Sequence, residues 1–385
     1  MGPFEFATAD RIIFGRGKIA TIASLEDLLG ARTLIVTGKS QRHLPALLSH
    51  LGALAVEPVS ITVDGEPQVA DVERACAVMQ DQQCQSVIGL GGGSAVDAGK
   101  AIAALAANPG DPMDYLEVIG RGLSMPKAPF PFIAIPTTAG TGAEVTKNAV
   151  LASPEHRVKV SLRSRDMLPD VAIVDSELTH SLPREATANA GIDALTQLIE
   201  PFLSSRANPF TDALCRSAIP QAARALEQLA ADLDNPEARD SLAFAALNSG
   251  LALANAGLGA VHGFAGPMGG MFGAPHGAIC ARLLPAVLKQ NFAVAVQQGQ
   301  DDPTLNRFNE LGPLLTGDSR AAADEAISWT ARIVESFAVQ RLSAFGIQQQ
   351  DFPEIVKKSQ KASSMKGNPY SLGEGALTRI LAEAL

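Results

Sequence analysis

No CxxC pair occurs among the four cysteines of this 385-residue chain, which argues against both a disulfide framework and a thiolate zinc site of the usual paired spacing. Cys76, Cys84, Cys215 and Cys280 are scattered, as expected for a chain that works in a reducing, cytoplasmic setting. Long runs of Lys and Arg are missing too, and the formal net charge is −9. Nucleic acid and anionic membrane surfaces both select clustered basic residues, so neither is expected as a partner. No stretch reaches the roughly 18 uninterrupted apolar residues of a membrane span. The opening MGPFEFATADRIIFG carries acidic residues in place of an apolar signal core, so a secretory leader is not expected. Internal repeats and low-complexity tracts are absent. Hydrophobic residues make up 46% and charged residues 18%. That is too apolar for a disordered chain, and the length suffices for two domains with well-buried cores.

Up to about residue 178, short apolar runs alternate with helical spacing. TLIVTG, SVIGLGGG, FIAIPTT and VAIVD are brief, rich in Val and Ile, and closed by Gly, Thr or Asp, which predicts buried parallel strands. Between them, LPALLSHLG and VADVERACAVMQDQ space their apolar residues for helices. Such alternation predicts a doubly wound α/β layer. Beyond residue 178 the strand signals stop and helical patterns follow one another, from EATANAGIDALTQLIEPFLSS to RAAADEAISWTARIVESFAV; one is a single run from Glu237 to Val261, closed by His262. The expected division is a dinucleotide-binding α/β domain over 1–178 and an all-α domain over 179–385, with ligands in a cleft between them.

Three features carry chemistry. SVIGLGGGSAVDAGKAIAALAA runs a strand into Gly91, Gly92, Gly93 and Ser94 and then into a helix. Glycine lets backbone approach a pyrophosphate while helix N-terminal amides point at its charge, and Asp97 falls in the helix's first turn, suited to cap amides or meet a ligand hydroxyl. The segment is not GxGxxG and has no Walker lysine, so ordinary Rossmann and phosphoryl-transfer readings are poorly supported. The next strand ends in IPTTAGTGAEVTKNAV, where Thr137, Thr138, Thr141 and Thr146 interleave with Gly140 and Gly142. Hydroxyls and amides at a strand's C-terminal end suit phosphate and ribose, and two such loops on consecutive strands point to a dinucleotide. The third feature is Asp193, in GIDALTQLIE, with His262 and His276 bracketing HGFAGPMGGMFGAPH. A carboxylate in an apolar helix is costly unless it finds a cation or a proton. A divalent metal shared with the two histidines supplies one, and Gln197, one helical turn beyond Asp193, is placed to donate its amide oxygen as fourth ligand.

In this order and at these distances, GGGSAVDAGKAIA, PTTAGTGAEVT, the DAL helix and the closing PHG resemble the iron-containing (group III) alcohol dehydrogenase family. The resemblance runs nearly end to end, from IIFGRGKI to NPYSLGEGALTRIL. It implies a dehydroquinate-synthase-like fold and hydride transfer between NAD or NADP and a metal-polarised small alcohol or carbonyl. It further implies Fe2+ or Zn2+ as the metal, and a homodimer or higher homo-oligomer. By this resemblance Gly92, Gly93 and Ser94 belong to the pyrophosphate loop, Asp97 is the helix aspartate beside the cofactor, and Thr137, Thr138 and Thr141 belong to the second cofactor loop. Lys159 lies near the nicotinamide, and Leu178 contacts the cofactor. Asp193, His262 and His276 match three of four metal ligands and form the catalytic centre. Two positions depart, since Gln197 and Gly266 stand where the family usually carries histidine. Gly38, Lys39 and Ser40 stand where NAD-preferring members carry an aspartate, and Lys39 with Arg42 can attract a 2′-phosphate, which keeps NADP open beside NAD. The departures also keep alternatives open: a metal-independent oxo-acid reductase similar to maleylacetate reductases, a dehydroquinate-synthase-like lyase, or a nucleotide-binding member with altered catalysis.

Overall fold

Six strands pair in parallel in the computed structural model, which describes residues 2–108, 110–156 and 158–385. In chain order the strands are β1 (Arg11–Phe14), β2 (Arg32–Gly38), β3 (Glu57–Val63), β4 (Ser86–Gly91), β5 (Phe132–Pro136), β6 (Asn148–Ser153), β7 (Val158–Arg163) and β8 (Val171–Val174). The parallel sheet has the order β1-β8-β5-β4-β2-β3, while β6 and β7 form a separate antiparallel hairpin. Helices α1 (Glu26–Leu29), α2 (Leu44–Leu51), α3 (Val69–Asp81) and α4 (Gly93–Ala107) complete this part of the chain. Alternate residues of each strand serve opposite faces. Leu34, Val36, Val87 and Ala134 join a core with Val72, Met79 and Ile102 from α3 and α4, whereas Ile35, Ile88 and Ile133 join one with Leu29, Leu44 and Leu47 from α1 and α2. Because both faces are covered, β4 and β5 are buried along their whole length and read in sequence as continuous apolar runs.

The four predicted strands are β2, β4, β5 and β8. Sequence reading missed β1, β3 and the β6–β7 hairpin. β3, EPVSITV, is an edge strand with only its last residue buried and a proline at its second position, so it lacks the apolar run that betrays a central strand. The chain passes outward from β2 to β3 and then returns across β2 to form β4. Crossovers diverge at that point, which leaves a crevice beyond the C-terminal ends of β2 and β4, the place where open α/β sheets bind ligands.

The remainder is helical: α5 (Arg184–Leu203), α6 (Pro209–Ala231), α7 (Pro236–Ala256), α8 (Ala260–Phe272), α9 (His276–Gln298), α10 (Pro303–Thr316), α11 (Ala323–Ser336), α12 (Phe352–Ser359) and α13 (Glu374–Ala384). Starts are marked in sequence: Asn208 accepts from the amides of Phe210 and Thr211 ahead of α6, and Asn235 from that of Ala238 ahead of α7, each followed by a proline at the first helical position. The expected single helix from Glu237 to Val261 is two helices bent by 98°. Gly257, at φ 72°, ends α7 in a conformation that favours glycine. His262 therefore lies in the first turn of α8 instead of closing a long helix. By length and composition α9 could cross a membrane, yet 56% of its most apolar window is buried, as in the core helix of a globular unit.

Two compact units result. One comprises Thr8–Thr138 and Gly142–Ser181; the other comprises Leu182–Leu385 together with Ala139–Thr141 and the N-terminal residues up to Ala7.

Candidate metal centre and cofactor loops

Helix α5 puts three buried polar side chains on one face, because Asp193, Gln197 and Glu200 are spaced by one and two helical turns. Asp193 is 1% exposed. Its Oδ2 accepts a hydrogen bond from Gln197 Nε2 at 3.0 Å, while its Oδ1 has no hydrogen-bond partner among the described residues. That bare oxygen faces His262 Nε2 at 3.3 Å and His276 Nε2 at 3.9 Å. His262 comes from the first turn of α8 and His276 from the start of α9. Gly277 lets α9 begin hard against α5, because a Cβ there would lie 2.3 Å from the Asn189 carbonyl oxygen.

Glu200 orients His262. Its Oε2 is 2.6 Å from His262 Nδ1 and its Oε1 accepts from the Val261 amide at 2.7 Å. With Nδ1 protonated toward a carboxylate, Nε2 keeps its lone pair for a cation, the usual arrangement behind a ligating histidine. Cys280, one turn into α9 from His276, completes the cluster with Sγ 3.7 Å from His262 Nε2 and 3.6 Å from His276 Nε2. The donor atoms of Asp193, His262, His276 and Cys280 all lie within 4.8 Å of one another.

The electrostatics ask for positive charge. Burial would push the Asp193 carboxyl up, but His262 and His276 outweigh it and hold the group below its usual value. Burial would likewise push His262 down, yet its neighbours Cys280, Glu200 and Asp193 raise it well above the ordinary imidazole value. Burial drives the Cys280 thiol itself up to about 12. A buried, unpartnered carboxylate oxygen flanked by two imidazole nitrogens and a thiol fits a divalent cation in chemistry and spacing.

Gln197 is near the centre but engaged elsewhere. Its amide nitrogen faces Asp193 and its oxygen lies 3.0 Å from the Ser249 hydroxyl, so it presents no acceptor to the cluster. Sequence reading missed Glu200 and Cys280. Both carry a helical signal, seven residues after Asp193 and four after His276, and the absence of CxxC spacing hid the second. Cys280 reaches the cluster from a helical spacing, with no CxxC pair.

In the α/β unit, the topological crevice coincides with the glycine-rich loop. Gly91 has φ 159°, and a Cβ there would come 2.7 Å from that of Ala95 and 3.4 Å from the Gly38 amide nitrogen. Gly92 precedes α4 without a side-chain cap, leaving the amides of Gly93 and Ser94 at a bare helix N-terminus suited to an anion. Thr138 stands beside it, its methyl 3.3 Å from where a Gly92 Cβ would be, and Thr137 N donates to Gly91 O at 2.8 Å. Gly38, Gly92, Gly93, Ser94, Thr137 and Thr138 are thus gathered at one sheet edge. Thr141 groups with the helical unit.

Other expected cofactor residues have structural partners. Asp97 accepts from the Val150 amide at 3.0 Å and lies 3.2 Å from Lys100 Nζ. Lys100, buried, also reaches Ala143 O at 2.8 Å, Thr146 Oγ1 at 2.9 Å and Asn148 O at 2.5 Å, which pins the second loop onto α4. Lys159 is ion-paired with Glu66, and Leu178 packs in the core beside α2. Lys39 pairs with Asp64 at 2.8 Å and Arg42 donates to Ser181 O at 2.5 Å.

Burial pushes Glu144, beside this lysine, up to about 7 from an ordinary 4.5. The native state thus binds the extra proton between those values. Its contribution to stability is full below about pH 4.5 and is lost as pH rises through about 7, a change of up to about 3 kcal/mol. Glu144→Gln should therefore gain on wild type between pH 5.5 and pH 8 in urea unfolding. An unchanged difference at the two pH values would show that Glu144 does not titrate in this range.

Comparison with known proteins places the geometry. Residues 9–176 match the sequence model of iron-containing alcohol dehydrogenase, and residues 187–385 that of the C-terminal part of the Fe-containing alcohol dehydrogenase family. The chain belongs to the iron-containing alcohol dehydrogenase family, oxidoreductases that act on CH–OH groups with NAD(H). It is 33% identical to the 1,3-propanediol dehydrogenase of Klebsiella pneumoniae across 99% of this chain and 98% of that protein. It is 30% identical to the NAD-dependent methanol dehydrogenase of Bacillus methanolicus, across 97% of each. A crystal structure of 1,3-propanediol oxidoreductase matches over the whole of both chains with a TM-score of 0.91 at 32% identity. The expected fold, an α/β unit followed by a helical one, is the fold of this family.

Proposed function

We propose that this protein interconverts a small alcohol and its aldehyde or ketone with NAD(H), using a divalent metal, Fe2+ or Zn2+, held by Asp193, His262 and His276. The observation that carries this reading is the bare Asp193 Oδ1, buried between two imidazole nitrogens. When bound, the metal supplies a Lewis acid for the substrate oxygen and the nicotinamide a hydride donor or acceptor. Asp193 contributes negative charge, and Gln197 holds its second oxygen. His262 offers Nε2 because Glu200 fixes the proton on Nδ1. The amides of Gly93 and Ser94 receive the pyrophosphate, with Gly38, Gly92, Thr137 and Thr138 around it. Asp97 and Thr146 support the second loop through Lys100, whereas Lys159 is held by Glu66 and Leu178 packs beside α2. NAD is the favoured cofactor, since Asp64, holding Lys39, opposes the charge of a 2′-phosphate.

The relatives' names point to short substrates such as 1,3-propanediol or methanol. The four free cysteines suit a reducing cytoplasmic setting, and self-association as a homodimer or larger assembly is carried by family membership. Protein purified without chelator should hold about one metal ion per chain. Chelation should lower NAD-linked alcohol oxidation at least about tenfold, with recovery on adding Zn2+ or Fe2+. Full activity in metal-free protein would overturn the metal-dependent reading.

A further inference from the structure

We propose that Cys280 is the fourth protein donor, in the place expected of Gln197, and that the set Asp193, His262, His276 and Cys280 favours Zn2+ over Fe2+. The inference rests on the metal-dependent reading above and concerns which side chains complete the site. Zinc–sulfur and zinc–nitrogen bonds of about 2.3 and 2.05 Å at a tetrahedral angle place the two donor atoms about 3.5 Å apart. Sγ of Cys280 lies 3.7 and 3.6 Å from the two imidazole Nε2 atoms. The nitrogen–oxygen edge should be about 3.3 Å, and Asp193 Oδ1 lies 3.3 Å from His262 Nε2. The edge that has to shorten is His276 Nε2 to Asp193 Oδ1, at 3.9 Å.

Gln197 is committed to other work. Turning its oxygen toward the centre would break both the bond to Asp193 Oδ2 and the contact with Ser249. A bound divalent ion would draw the thiol to its thiolate, the proton leaving to solvent as the sulfur–metal bond forms. Thiolate sulfur is a soft donor that suits zinc better than it suits a hard O/N site for Fe2+. The approach for a substrate oxygen remains open on the side of His276, whose side chain is 35% exposed while those of Asp193 and His262 are buried.

The test is an anaerobic titration of metal-depleted, full-length protein with CoCl2. The expected result is one bound Co2+ with visible d–d bands and an intense near-ultraviolet thiolate-to-cobalt band. Cys280→Ser should lose the near-ultraviolet band and keep the d–d bands, whereas Gln197→Ala should retain both. In direct competition, Cys280→Ser should lower the ratio of Zn2+ to Fe2+ affinity on the order of tenfold. Visible bands without a near-ultraviolet band in the wild type would overturn the assignment of Cys280 and leave the metal reading standing. No bound Co2+ at all would overturn both.

Discussion

Asp193→Ala should abolish metal retention and lower kcat/KM for alcohol oxidation by about a thousandfold or more, equivalent to about 4 kcal/mol of transition-state stabilisation. The size follows from what the carboxylate does alone. Glu200, the other buried acid nearby, spends both oxygens on His262 Nδ1 and the Val261 amide, so it cannot substitute. Without Asp193 the centre keeps two neutral imidazoles and a thiol whose burial opposes ionisation, a set that holds a divalent ion poorly. Loss of the Lewis acid removes charge stabilisation worth several kcal/mol. In the metal-free protein the same substitution also removes the Oδ2 acceptor of the buried Gln197 Nε2, so it should lower stability by about 1–3 kcal/mol. Gln197→Ala gives the contrast: it removes a hydrogen bond to Asp193 without removing a donor, and its cost should stay within about 10–100-fold. Metal analysis, steady-state kinetics and circular dichroism on the two variants check these statements. Stoichiometric metal in Asp193→Ala, with kcat/KM within tenfold of wild type, would place the reaction centre elsewhere.

What the sequence revealed followed from periodicity and from charge in apolar surroundings. The central strands were legible because burial on both faces makes them continuous apolar runs, whereas β3 was hidden by the alternation and proline of an edge strand. Asp193, His262 and His276 stood out because a charged or metal-capable group amid apolar residues needs a reason. Glu200 and Cys280 did not, since each gains meaning only when α5, α8 and α9 are packed together. The turn between α7 and α8 was missed for a local reason: Gly257 to Gly259 continue an apolar run, and only the positive φ of Gly257 shows that the helix has ended. Asp97 and Thr146 show the opposite limit. Their position in loop and helix suggested ligand contact, but nothing in the spacing told that a buried lysine from the same helix would hold both.

That lysine carries the second large effect. Lys100→Met keeps the length of the side chain and removes its charge, and it should lower the unfolding free energy by about 3–5 kcal/mol. Three consequences add. Asp97 would be left with the Val150 amide as its partner but no counter-charge, in a site where burial already pushes its carboxyl up; Ala143 O and Asn148 O would lose a buried donor; and Thr146 would lose the ammonium that orients its hydroxyl. The loop from Thr137 onward is anchored at its far end by these bonds. NADH binding should therefore weaken in Lys100→Met along with stability, even though no cofactor contact is assigned to the lysine. The double variant Asp97→Asn with Lys100→Met separates the two causes. Neutralising Asp97 removes the orphaned charge, so stability should recover in part. The dissociation constant for NADH should stay raised, because the carbonyl anchors are still missing. Urea unfolding followed by circular dichroism gives the first quantity and NADH fluorescence the second. If Lys100→Met costs less than about 1 kcal/mol, or if the double variant is no more stable than the single one, the lysine is not compensating a buried carboxylate.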